Sequence, residues 1–260
     1  MSLTFGPHVS VSIEAHVAVV TLDRPPYNHV SVEFVSHLAE ALEAVDQREE
    51  IRCSVLQAAG KHFCAGADLV SAEGVGASGM RGVDLLYREA ARLFAVRKPI
   101  VAAVQGGAIG AGLGLAVMAD FRVASPEARF SANFVKLGFH PGFGLTRTLP
   151  RLIGQSKADL MCLTGRRVKP EDGLRWGLLD EVVTLQNLRP AALRLANEIS
   201  ENAPLAIMAT RKTLRGDLAE AVRIQMETEY REQSSLRSTE DFKEGVRAVA
   251  ERRRGRFSGR

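Results

Sequence analysis

The sequence predicts an α/β fold on three observations. Short β-rich apolar runs alternate with stretches of helical periodicity through residue 183. The runs are separated by glycine- and proline-bearing turns. From about Leu185 onward the pattern is helical only, which places a boundary near Val183 between a core of residues 1–183 and a helical C-terminal module of residues 184–260. With 46% hydrophobic and 25% charged residues, a chain of 260 residues buries a sizeable core without disulfides or a metal.

The elements follow in order. "VSVSI" (9–13) and "VAVVTL" (17–22) flank a short polar turn and read as a hairpin. Ser31 can cap a helix whose inner face carries Val35, Leu38, Leu42 and Val45. "IRCSVLQ" (51–57) is a strand that ends at an Ala-Ala-Gly turn, and "EGVGASGM" (73–80) reads as a loop. A helix from about Val83 to Val96 ends before Pro99, ahead of the strand "IVAAV" (100–104). A Gly- and Ala-rich helix spans about Ile109 to Ala119, suited to close backbone packing, and "DFRVAS" (120–125) and "ARFS" (128–131) read as strands. A helix starts near Gly144, Pro204 opens another, Asp217 to Leu236 forms a long amphipathic one, and Ser238 with Asp241 has capping-box spacing before the last.

Composition limits the function classes. The net charge of +4 is modest, and its basic excess is concentrated in "ERRRGRFSGR" (251–260), a solvated tail or a contact for an anionic group such as a phosphate. No basic patch is interleaved with aromatics, which argues against nucleic acid. Cys53, Cys64 and Cys162 are odd in number and widely spaced, arguing for a reducing compartment and against a disulfide frame or a metal site. The start "MSLTFGPHVS" lacks a signal-peptide pattern, so a cytoplasmic location is expected. Residues 99–119 run 21 positions without a charge, enough to span a bilayer, but five glycines, Pro99 and Gln105 argue for a soluble reading with no membrane partner.

Two glycine-rich turns carry the chemistry. "GKHFCAGADLV" (60–70) follows a strand, and "GGAIGAGLG" (106–114) opens a helix, where first-turn amides and the helix dipole favour negative charge. Neither contains a Walker motif or G-x-G-x-x-G in register. In this order and spacing the pair resembles the two oxyanion loops of the crotonase, or enoyl-CoA hydratase/isomerase, superfamily. The resemblance extends to "VVTLDRP" (19–25), "RKPIVAAVQGGAIGAGLGLAVMADFRVAS" (97–125), "PRLIGQSKADLMCLTGRRVKPEDGLRWGLLDEVV" (150–183) and "EDFKEGVRAVAERRRGRF" (240–257).

The resemblance implies a crotonase-like spiral of strand-strand-helix units whose C-terminal helices mediate a homotrimer or a dimer of trimers. It implies an acyl-CoA thioester as substrate, with coenzyme A arriving as part of it and no separate cofactor or metal. The thioester carbonyl would sit between the backbone N–H groups of Ala67 and Ala111, flanked by Ala65 and Gly110. Asp68, Leu69 and Val70 would line the coenzyme A path, with Arg24 and Lys61 near its phosphates; a solvated surface charge is the other reading of both. Phe257 and the nearby arginines would touch the nucleotide of a neighbouring subunit.

Where family hydratases hold two glutamates, this chain has Gly114 and Phe134; where isomerases hold a carboxylate after the loop proline, it has Gly142 and Phe143. The stretch "FVKLGFHPGFG" (134–144) has three glycines and three phenylalanines but no carboxylate. Two ionisable groups stand as candidate proton carriers: His140, with a pKa suited to transfer near neutrality, and Tyr87, which equally fits an apolar stripe with Ala90, Ala91 and Phe94. His62 reads as a polar contact beside the first loop, and Asp120 as a structural group. Phe134, Phe139 and Phe143 suggest an apolar or aromatic acyl pocket. The expected activity is of the hydratase or isomerase type; the alternatives are another crotonase reaction or a non-catalytic acyl-CoA binder.

Overall fold

The computed structural model describes residues 2–67 and 79–260. Strands β1 (Ser2–Phe5), β2 (Val9–Glu14) and β3 (Val17–Leu22) form an antiparallel meander, and β3 then pairs in parallel with β4 (Cys53–Ala58). The sheet continues in parallel through β5 (Ile100–Val104), β7 (Phe121–Ala124) and β9 (Glu181–Val182), giving the order β1-β2-β3-β4-β5-β7-β9. A separate pair is formed by β6 (Gly107–Ile109) and β8 (Arg129–Ser131).

Alternating side chains of the parallel strands feed two cores, as their period of two requires. Val17, Cys53, Val55, Val101, Ala103 and Val123 face α7 (Leu185–Ser200), which contributes Leu188, Ala191, Ala192 and Ala196. Val20, Leu22, Leu56, Ala102 and Val104 face the larger core with α1 (Val32–Asp46), α2 (Gly79–Ala95) and α3 (Ala111–Met118). Ser31 caps α1, its hydroxyl accepting from the Phe34 N–H at 3.3 Å. The uncharged run 99–119 resolves into β5, a turn, β6 and α3, and among the described residues no helix is long and apolar enough to cross a membrane.

Three local expectations shift. The second helix begins at Gly79 rather than Val83. β6 ends at Ile109, where the helix is expected to begin, so α3 starts at Ala111 after Gly110, whose φ of +54° turns the chain. The last helix, α10 (Glu240–Ala250), is capped by Thr239 instead of Ser238: the Thr239 hydroxyl accepts from the Phe242 N–H at 3.1 Å.

The C-terminal helices return to the core. α8 (Pro204–Arg215) is held at the end of β5 by Asp120, whose carboxylate accepts from the Ile100 N–H at 2.9 Å and from Arg211 Nε at 3.0 Å, with Arg215 3.5 Å away. α9 (Leu218–Leu236) packs along α2, and α10 packs on a 3-10 turn at Asn133–Leu137. The basic tail folds back on α10. Backbone N–H groups of Ser258 and Gly259 donate to Asp241 at 2.6 and 2.8 Å, and that of Arg256 donates to Glu244 at 2.9 Å.

Candidate active site

The two glycine-rich loops are zipped together by backbone bonds. The Cys64 N–H donates to the Gly107 carbonyl at 2.9 Å, and the Ile109 N–H donates back to the Cys64 carbonyl at 3.0 Å. The contact leaves no room for side chains: a Cβ at Gly112 would stand 2.1 Å from the Cys64 carbonyl oxygen, and one at Gly106 would stand 2.1 Å from that of Lys61. His62 is a strut in this junction. Its Nδ1 accepts from the Gly107 N–H at 3.0 Å, and burial lowers its pKa, favouring the neutral ring that this bond needs.

Ala67 at the end of the first loop and Ala111 at the start of α3 line one cavity of about 250 Å³. Ala111 is the first residue of α3, so its N–H is one of those a helix leaves without an intrahelical partner. Ala65 and Gly110 line the same cavity; Asp68, Leu69 and Val70 lie outside the described residues. Opposite are apolar groups from distant segments: Phe134, Phe139 and Phe143 from the loop, Val83 and Leu86 from α2, Val246 and Val249 from α10. Among the described residues no carboxylate lines it.

The positions at which the family resemblance implies acids are physically filled. A Cβ at Gly114 would fall 2.3 Å from Cδ1 of Phe143, whose buried ring covers that spot. Phe143 reaches it from a left-handed backbone, φ +62°, a conformation that costs a non-glycine residue on the order of 1 kcal/mol or more. A Cβ at Gly142 would fall 1.8 Å from the Tyr87 hydroxyl and 2.6 Å from Gln233 Nε2. Neither glycine lines the cavity; each makes room for the aromatic residue that does.

Tyr87 is both a core residue and a cavity wall. Its hydroxyl donates to Gln233 Oε1 at 2.9 Å, and Gln233 Nε2 donates to the His140 carbonyl at 2.8 Å. Burial, reinforced by the nearby Glu229 charge, pushes the phenol well above its ordinary range, so it remains protonated. His140 takes a place behind the wall. It does not line the cavity, and its Nδ1 lies 2.7 Å from the Pro141 carbonyl oxygen.

Arg24 and Lys61 also stand off the cavity. Arg24 Nη1 donates to the His29 carbonyl at 2.7 Å, while Lys61 is exposed. Phe257 is exposed on the returning tail and away from the cavity.

Sequence reasoning missed His29, Asn133 and Gln233, the other polar cavity residues. Gln233 had a readable signal. The buried stripe of α9 runs Leu218, Val222, Met226, Glu229, Gln233, and two polar residues on a buried helical stripe imply specific partners. Glu229 finds them at the start of α4 (Leu145–Ile153), accepting from the Gly144 N–H at 2.7 Å, the Thr146 N–H at 3.0 Å and the Thr146 hydroxyl at 2.6 Å. Burial nevertheless pushes its pKa up to about 7, against the lowering effect of those bonds.

Known proteins resemble this chain in sequence and fold. The enoyl-CoA hydratase/isomerase family matches residues 12–260. (E)-Benzylidenesuccinyl-CoA hydratase of Thauera aromatica is 36% identical over 260 residues, spanning 96% of this chain and 99% of that protein. 1,2-Epoxyphenylacetyl-CoA isomerase of Escherichia coli (strain K12) is 32% identical over 257 residues, spanning 95% and 97%. The crystal structure of enoyl-CoA hydratase/isomerase from Pseudoalteromonas atlantica T6c superposes with a TM-score of 0.85 at 30% identity, covering 96% of this chain and 100% of that one. The α/β fold with its paired glycine-rich loops is therefore a crotonase fold. The chain belongs to the enoyl-CoA hydratase/isomerase family.

Proposed function

We propose that the protein is an acyl-CoA-processing enzyme of the hydratase/isomerase type. The thioester carbonyl is held by the N–H groups of Ala67 and Ala111, and the enolate that forms from it is stabilised there. The observation that carries this reading is that both residues line one apolar cavity, with Ala111 at a helix N-terminus. Donors placed where charge develops, in a site from which water is excluded, contribute roughly 3–4 kcal/mol each to transition-state stabilisation. Coenzyme A enters as part of the substrate, with Lys61, Arg24 and the tail around Phe257 as the groups proposed to meet it, the last across a homotrimer.

The absence of a carboxylate among the described lining residues supports a reaction in which protons move through water, through Tyr87 or within the substrate. It also supports a second reading, a non-catalytic acyl-CoA binder. Turnover assays on a panel of enoyl-, 3-hydroxyacyl- and β-ketoacyl-CoAs separate the two: conversion of any member favours the enzyme, and tight binding with no conversion favours the binder. Ala111→Pro tests the oxyanion assignment. Proline is tolerated at the first helical position but has no N–H, so turnover should fall about 10²- to 10³-fold with the fold retained. Unchanged turnover in that variant would refute the assignment.

A further inference from the structure

We propose that Tyr87 closes the far end of the acyl cavity and restricts the substrate to a short acyl chain or one carrying a single ring; this rests on the acyl-CoA reading above. Tyr87 lines the inner cavity of about 250 Å³. It also lines an outer groove of about 590 Å³ between α2 and α9, beside Arg88, Ala91, Met226 and Tyr230. Among the described residues it is the one side chain common to both. Among the described residues the phenol ring is thus the wall shared by an apolar chamber and an open surface groove.

The ring is anchored through its hydroxyl. Its hydroxyl is bonded to Gln233, Gln233 is bonded to the His140 carbonyl, and Gly142 leaves the hydroxyl the space that any Cβ would take. The groove beyond carries charged pairs, Arg88 with Asp84 and Arg223 with Glu227. An apolar tail that passed Tyr87 would break the Gln233 bond and emerge among those charges. An apolar cavity of about 150 Å³ accepts benzene, so the inner chamber suits one ring or a short chain.

Binding of butyryl-, phenylacetyl-, octanoyl- and dodecanoyl-CoA, with free coenzyme A as reference, tests this by calorimetry on the wild type, Tyr87→Phe and Tyr87→Ala. The wild type and Tyr87→Phe, which keeps the ring, should bind butyryl- and phenylacetyl-CoA about tenfold or more tightly than dodecanoyl-CoA. In Tyr87→Ala the chamber opens into the groove, and that gap should shrink to about twofold or reverse. Equal or tighter binding of dodecanoyl-CoA by the wild type overturns the proposal but leaves the acyl-CoA reading standing, as does a Tyr87→Ala variant with the wild-type order. Where the alanine variant does not fold, Tyr87→Leu removes the ring while keeping most of the buried volume, and it must shift the order the same way. Failure of the wild type to bind any thioester more tightly than free coenzyme A overturns the acyl-CoA reading itself.

Discussion

At the scale of single residues, what an acid-free loop means depends on what fills the space. The sequence shows glycine at 114 and 142 but cannot show that the Phe143 ring and the Tyr87 hydroxyl stand there, because both contacts are made across the fold. The same limit applies at His140: residue type suggests proton transfer, but the sequence cannot show that its carbonyl accepts from Gln233, 93 residues away. Gly142→Ala measures how firmly the space is held. Tyr87 and Gln233 are both hydrogen-bonded and cannot yield freely, so the added methyl should destabilise the protein by about 1–3 kcal/mol in urea denaturation. Combined with Tyr87→Phe, which removes the atom nearest the clash, the same change should cost measurably less.

At the scale of elements, the helices and strands were legible where periodicity and caps agree. Ser31 and the stripe from Val35 to Val45 fixed α1, and the β-branched runs fixed β2, β3 and β5. The start of α4 near Gly144 was readable but its N-terminal acceptor was not, because that acceptor is Glu229, 85 residues away in sequence. That carboxyl makes α4 docking pH-sensitive. Its pKa rises from an ordinary 4.5 to about 7 on folding, so the folded chain keeps a proton that the unfolded chain releases. Its contribution is therefore fully present below about 4.5 and declines as pH rises to 7. In Glu229→Gln this titration is gone. The stability difference between wild type and variant, from urea midpoints across that window, should be most favourable to the wild type at the acid end and shrink toward neutrality; a difference that stays constant would show that Glu229 does not titrate there.

At the scale of the whole molecule, the alternation of strands and helices announced an α/β core, and the paired glycine loops announced the family. The return of the C-terminal helices onto that core was not legible, since it depends on pairs such as Tyr87 with Gln233, 146 residues apart, and Asp120 with Arg211, 91 apart. Asp120 had been readable as structural, but its partners had not. Asp120→Ala would leave two largely buried guanidinium groups without their carboxylate, a loss of about 3–5 kcal/mol. Hydrogen exchange in α8 should rise before that in α3, because the ion pairs fasten α8 to the sheet.

The ring of Phe143 above Gly114 also restricts which mutational histories are open to the family fold in this chain. A glutamate arriving alone at 114 meets a buried aromatic ring, and a small residue arriving alone at 143 leaves a void in the cavity wall. Each single variant should be less stable than its parent, so a carboxylate at position 114 is reached through a destabilised intermediate unless position 143 changes with it.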